Sequence, residues 1–332
     1  MKLVKKILNK LNGLHYPQEY LCFAKESFLQ PLHVYLVNNK QVIKDITNRH
    51  LFVGYCPAVF AFPDPGLLTE SCGPESLQLI FSHHLLQPND IFSKKDALAL
   101  LELRLIKKQV TGSQDPVNNS DLLYYEGIRG KHSFLPAYNQ LIISLSNELY
   151  NKKPGNIFLH NNLYKQVQIA YAVPRIISLI TVADNGLFNL FPSDLNGQAG
   201  EQYYVISLRI GGKACEQVEK AGKLLISQIH ADAYKMVYAL GKNHMQELKS
   251  PENFPFSQLI SANFKMPLPE HTLSYRELIL RDSFTHGIHK IFLFKSLARL
   301  EIQPQTATLT HIHNAYATWR YKNGAGGNYL LR

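Results

Sequence analysis

Cysteine is scarce in this sequence: Cys22, Cys56, Cys72 and Cys215 are widely separated, and no CxxC pair occurs. That spacing argues against a zinc ribbon or a dithiol redox centre and predicts free thiols in a reducing compartment. No apolar run approaches the length that spans a bilayer. The opening MKLVKKILNKLNGL lacks both the sustained apolar stretch and the small-residue cleavage site of a secretory leader. A cytoplasmic protein with no membrane partner is therefore expected. An arginine-rich tract, zinc-finger spacing, low-complexity segments and an evident internal repeat are also missing. The net charge of +10 then reads as solubility and a field for anionic ligands, and no nucleic-acid partner is expected.

What is present is apolar mass. Hydrophobic residues make up 45% of 332, with 17 Phe and 18 Tyr, enough to offset the entropy of ordering a large core. The length favours two domains over one. Leu3, Val4, Ile7, Leu8 and Leu11 fit a short amphipathic helix. His33 to Val37 and Leu51 to Phe62 are rich in β-branched and aromatic residues, and Pro63-Asp64-Pro65-Gly66 supplies a turn. Ser93 before Lys94-Lys95-Asp96 and the apolar stretch Ala97 to Ile106 predicts a capped helix. Gly112 to Asn119 predicts a loop. Phe134 to Tyr150, with Leu141, Leu145 and Leu149 on one side, predicts a second helix.

The polar segment Asn151-Lys152-Lys153-Pro154-Gly155-Asn156 marks a boundary between an α+β N-terminal domain of residues 1–150 and a β-rich domain of residues 151–332. Beyond it, Arg175 to Asp184 and Leu187 to Leu195 flank the hairpin signal Asn185-Gly186. Tyr203 to Ile210 and Lys223 to Ile229 follow, joined by a short helix over Ala214 to Ala221. Glu277 to Asp282 and Lys290 to Ile302 form a late strand pair around Thr285-His286-Gly287. So many strands with short links predict a closed or partly closed antiparallel barrel, making the chain mainly β with α additions.

Three segments of the second domain carry a family likeness. They are Pro174-Arg175-Ile176-Ile177-Ser178-Leu179-Ile180-Thr181 with Asn189-Leu190-Phe191-Pro192-Ser193, then Tyr204 to Arg209 with Gly211-Gly212-Lys213, and Gly287-Ile288-His289 leading into Lys290 to Leu297. In order and spacing they resemble the flavin-reductase-like, FMN-binding split-barrel family. The resemblance covers about half the chain. It departs at Ile288, where the family has Asp, at Asp194, where it has Ser or Thr, and at Cys215, which stands for a Thr.

The resemblance implies an FMN site formed by Thr181, Asn189, Ser193, Asp194, Arg209, Gly211, Gly212, Lys213 and His289, usually at a homodimer interface; the alternative is a monomer whose N-terminal domain fills the partner's place. FMN joins a flat apolar ring to a dianionic phosphate, so cations and backbone N–H groups must lie beside an apolar wall. Arg209 and Lys213 supply cations, and Gly211 and Gly212 admit backbone donors. Asn189, Ser193 and Asp194 are also residue types that cap ordinary turns. His289 suits either the flavin or the incoming nicotinamide. No catalytic acid or base is required, because the flavin carries the chemistry. His311-Ile312-His313 has a spacing metal sites sometimes use, but no Cys or carboxylate accompanies it, and no metal is expected. The implied activity is hydride transfer from NAD(P)H to flavin. The alternatives are an FMN-binding module without turnover and a basic interaction protein that has lost the cofactor.

Overall fold

The computed structural model describes residues 11–25, 32–64, 77–93, 95, 97–109, 121–150, 157–160, 162–304 and 306–324. The expected helix at Leu3 to Leu11, apart from Leu11 itself, the loop at Gly112 to Asn119 and the boundary segment at residues 151–156 lie outside the described residues.

After β1 (Tyr20–Ala24), seven strands build one antiparallel sheet: β2 (His33–Asn38), β3 (Gln41–Asp45), β4 (Leu51–Gly54), β5 (Val59–Asp64), β6 (Leu77–Ser82), β7 (Ala99–Gln109) and β8 (Asp121–His132). Their order across the sheet is β3-β2-β6-β7-β8-β5-β4. Two helices, α1 (Ala137–Tyr150) and α2 (Asn162–Ala170), and the two-residue β9 (Arg175–Ile176) lead onward.

The second sheet contains β10 (Ser178–Asp184), β11 (Leu187–Ser193), β12 (Asn196–Ala199) and β13 (Tyr203–Arg209). Next come α3 (Lys213–Ala221), β14 (Lys223–Ile229), α4 (Tyr234–Ala239) and the small pair β15 (Phe256–Ile260) and β16 (Pro267–Pro269). The long hairpin β17 (Thr272–His286) and β18 (His289–Glu301) completes the sheet in the order β11-β10-β14-β17-β18-β13-β12. Finally β19 (Leu309–His313) runs into α5 (Asn314–Lys322) and pairs with both β1 and β9.

In each sheet the two edge strands are neighbours in sequence. β11 and β12 are separated by Asp194 and Leu195 alone, and β3 and β4 by residues 46–50. A two-residue link spans roughly 10 Å at most, so each sheet must curl until its edges meet without pairing. That is a split barrel. Turn chemistry sets the registers: Asn185 (φ 49°) and Gly186 (φ 77°) have the left-handed backbone that a two-residue hairpin requires. Gly287 (φ 56°) does the same between β17 and β18, where a side chain would also collide with the Cys56 carbonyl.

The same order of connections appears in both sheets, a repeat the sequence does not reveal. A second difference from expectation is the stretch Ala97 to Ile106. It belongs largely to strand β7, not a helix, because Leu101, Leu103 and Leu105 alternate with Glu102 and Arg104, a period of two; Leu101 and Leu103 are buried in the barrel core. Ser93 caps only a local turn, accepting from the Lys95 N–H at 3.1 Å. Helix α1 forms where expected, but its leucine stripe, Leu141, Leu145 and Leu149, faces outward. Its buried side is Asn139, Ile143 and Asn147, and the two amides donate to the carbonyls of Leu11 and Leu159 at 2.9 Å.

The first barrel is filled by Leu36, Phe60, Leu79 and Leu101 and closed by residues from α2 and α5, including Ile169 and Tyr316. The second is filled by Ile180, Phe191, Ile206 and Phe292, with Ala214 and Val218 of α3 against them. A third cluster joins the two: Val53, Val59 and Tyr124 from the first barrel meet Ala199, Val205, Ile291 and Leu293 from the second. Tyr124 packs edge-on against Phe284 at 4.8 Å, and His286 Nε2 lies 2.8 Å from Glu126 Oε2. Ile291 is fully buried in this seam. Truncation of Ile291 to alanine is expected to cost about 2–5 kcal/mol. Because the seam serves both barrels, urea unfolding followed by tyrosine fluorescence and by far-ultraviolet dichroism should shift together as one transition.

Candidate functional site

The split of the second barrel opens into a cleft of about 570 Å³. One side is the second barrel: Phe191 to Ser193 at the end of β11, Asp194 and Leu195 in the edge-joining link, Ser207 to Arg209 at the end of β13, and His289 at the start of β18. Arg209 and His289 are register partners across the sheet, so their side-by-side placement follows from strand pairing. The other side comes from elsewhere in the chain: Tyr20 of β1, Tyr55 between β4 and β5, Tyr171 after α2, and His311 of β19. Tyr238 of α4 and His244 complete the rim.

Asp194 is the electrostatic centre. Its Oδ2 accepts hydrogen bonds from Tyr171 Oη at 3.0 Å and from His311 Nδ1 at 2.8 Å. Burial alone would raise its carboxyl pKa, yet the hydrogen bonds from His311 and Tyr171, with the attraction of His311, hold it below the usual carboxylate range. A carboxylate only accepts, so His311 donates from Nδ1, and its Nε2 lies 2.7 Å from the hydroxyl of Tyr238. Burial, followed by the nearby Asp194 charge, pushes the Tyr171 phenol well above its ordinary value, so it stays a neutral donor. The result is a fixed chain from phenol to imidazole to carboxylate along one wall, able to hold or relay a proton.

His289 is almost fully buried. Its Nδ1 lies 3.1 Å from Ser207 Oγ, and the Tyr55 ring stands edge-on to it with centroids 4.5 Å apart. Nε2 is buried and has no hydrogen-bond partner. Burial first and the Arg209 charge second lower its pKa to about 4, so the imidazole is neutral near pH 7.

The structure brings Ser193, Asp194, Arg209 and His289 to this cleft. Thr181 and Asn189 do not line it. Thr181 is fully buried within β10, and its hydroxyl lacks a partner. Asn189 holds the framework together, donating through Nδ2 to Gln217 Oε1 at 2.7 Å and to the Asn243 carbonyl at 3.0 Å. Gly211 (φ 79°) and Gly212 form the bend that starts α3, with Gly212 at the N-cap. This bend adjoins the rim, because a side chain at Gly212 would approach the carbonyls of Arg209 and His244. Lys213 is half-exposed and ion-paired with Glu247 at 2.9 Å and Glu216 at 3.6 Å. His313 caps α5 through its own Nδ1, so the His311-Ile312-His313 pair splits between two tasks. Among the described residues no group of three or more metal-ligating side chains occurs. Sequence reasoning missed Tyr20, Tyr55, Tyr171 and Tyr238. The high tyrosine count was the only sign of them.

No protein-family model and no curated protein matches the chain. In structure it is similar to flavin-reductase-like, FMN-binding proteins over about half its length. An FMN-binding protein from Thermus thermophilus, with bound p-hydroxybenzaldehyde, is 20% identical at a TM-score of 0.35, over 39% of this chain and 73% of its own. An NADH:FAD oxidoreductase from Streptomyces globisporus is 11% identical at 0.40, over 51% of this chain and 91% of its own. A flavoredoxin from Methanosarcina acetivorans is 13% identical at 0.34, over 39% and 69% respectively.

The His289 environment has a measurable consequence. Its folded pKa lies below its ordinary 6.5, at about 4. Between those values the unfolded chain binds a proton that the folded chain refuses, so stability falls as pH is lowered through that window, by up to ~1.4 kcal/mol per pH unit for this group. His289→Gln should flatten that fall. Urea midpoints at pH 7 and pH 5, compared between the two proteins, measure it.

Proposed function

We propose that the cleft binds FMN and that the chain is an oxidoreductase of the flavin reductase type, drawing hydride from NAD(P)H. The observation that carries this reading is the pairing of an aromatic wall with a cationic, hydrogen-bonding end in one cleft of suitable size. Tyr20, Tyr55, Tyr171 and Phe191 supply the apolar side, while Arg209, Ser193 and the orphaned Nε2 of His289 supply the polar side. Cofactor sites run to about 300–1,000 Å³ with this mixture of walls, and the residues present fit a flavin mononucleotide.

Arg209 is the cation for the phosphate, with the start of α3 after the Gly211-Gly212 bend adding its positive dipole end. Lys213, held by Glu216 and Glu247, would have to exchange those partners to reach the phosphate. Ser193 and His289 are placed to meet the polar edge of the ring or its ribityl chain. A bound flavin supplies the hydride-accepting ring. The protein's share is to orient that ring between the tyrosines, exclude water, and hold a proton on the Tyr238–His311–Asp194 chain for whichever partner needs one. Asn189 acts at one remove, holding Gln217 and the Asn243 carbonyl.

The decisive experiment is a visible absorbance spectrum of the purified, FMN-supplemented protein before and after NADPH. A flavin spectrum that bleaches and returns in air supports reductase turnover. Tight flavin binding without bleaching by NADH or NADPH would leave a binding module, and no retained flavin would remove the reading. Arg209→Ala should weaken FMN affinity about 10- to 100-fold, the worth of one charge-assisted hydrogen bond. Quenching of flavin fluorescence on titration with protein measures it.

A further inference from the structure

We infer that the chain is a tandem of one split barrel with a diverged copy of itself, in which the first copy serves as a built-in partner and keeps no equivalent cleft. The ligand half of this inference rests on the FMN reading above; the tandem half does not.

Four independent features carry it. The two sheets share one unusual strand order, hairpin for hairpin, with the counterparts β2 and β10, β6 and β14, and the long hairpins β7–β8 and β17–β18 in the same places. Each long hairpin is interrupted twice at the same spacing, between Glu102/Leu103 and Leu105/Lys107 in the first and between Glu277/Leu278 and Leu280/Asp282 in the second. Bulges are specific local insertions, and two unrelated sheets have no reason to share a pair of them. The registers also correspond: Asn38↔Gln41 matches Asp184↔Leu187, Leu51↔Ala61 matches Gly197↔Val205, and Ala61↔Tyr124 matches Val205↔Leu293.

The fourth feature is the seam. Each barrel contributes the outer faces of the same four strands, β4, β5, β7 and β8 from one and β12, β13, β17 and β18 from the other. A patch that packs against its own counterpart is the signature of a twofold, isologous contact. Here both sides belong to one chain. The place beside the cleft that a second subunit would occupy is taken by the first barrel, whose Tyr55 reaches His289.

The clefts did not both survive. By the same register match, Ser207, which holds His289, corresponds to Pro63, which has neither hydroxyl nor N–H. The link that carries Asp194 toward the cleft in the second barrel is turned inward in the first: Ile46 is fully buried in the barrel core and the His50 ring is buried with its Nδ1 on the Ile46 carbonyl at 2.9 Å.

The experiment is light scattering of the full-length protein across a hundredfold range of concentration, combined with FMN titration and the Tyr55→Ala variant. A particle of 37.8 kDa at every concentration, one FMN per chain, and affinity about tenfold weaker in Tyr55→Ala are the expected results. A dimer whose formation FMN binding requires, or two FMN per chain, would overturn the inference. If no FMN bound, the proposed function would fall while a monomeric particle would still support the tandem.

Discussion

The structure depends on a single requirement: each barrel has an apolar outer face that water cannot be left to cover. A curled sheet fills its interior with the side chains of one face, and the residues between them point outward. On four strands of each barrel those outward residues are apolar, among them Val59 and Tyr124 on one side and Val205 and Leu293 on the other. Burying each patch against the other removes both from solvent at once. The seam then fixes where everything else lies. It sets Tyr55 beside His289 and leaves the split of the second barrel facing the tyrosines of the first part of the chain.

Charge in the cleft follows the same economy of placement. Asp194 is half-buried, and two donors, a phenol and an imidazole, stabilise its charge. Such an arrangement keeps a negative charge on the wall of the cleft that β19 supplies. His289 lines the same cleft and is kept neutral by burial and by the charge of Arg209.

The second barrel was legible in the sequence because its instructions are local. Asn185-Gly186 specifies a hairpin, and Gly287 specifies the next. With those turns placed, pairing brings Arg209 opposite His289, and both were expected at the site. The first barrel was less legible because β7 mixes adjacent leucines with its alternation, so an apolar count suggested a helix where the period said strand. The repeat was hidden because sheet register constrains backbone and sidedness, not identity. Phe60 and Tyr204 can occupy matching places and leave no common motif. The tyrosines of the cleft were invisible for another reason. Tyr20, Tyr55, Tyr171 and Tyr238 come together only through the seam and the three-stranded sheet, across separations no local pattern encodes.

The pairing of β1 with β19 sets an order of events during synthesis. Cys22 hydrogen-bonds across to the strand that bears His311, almost the full sequence away. While the ribosome is still translating the barrels, β1 has emerged but its complement has not. A nascent chain can therefore complete the first barrel's sheet, and then the second, with this early strand still waiting for its mate and the carboxylate of Asp194 still lacking its imidazole donor. Long-range closures of this kind are slow because a large loop must be brought together first. A polypeptide that ends before residue 311 lacks the wall of the cleft that His311 supplies.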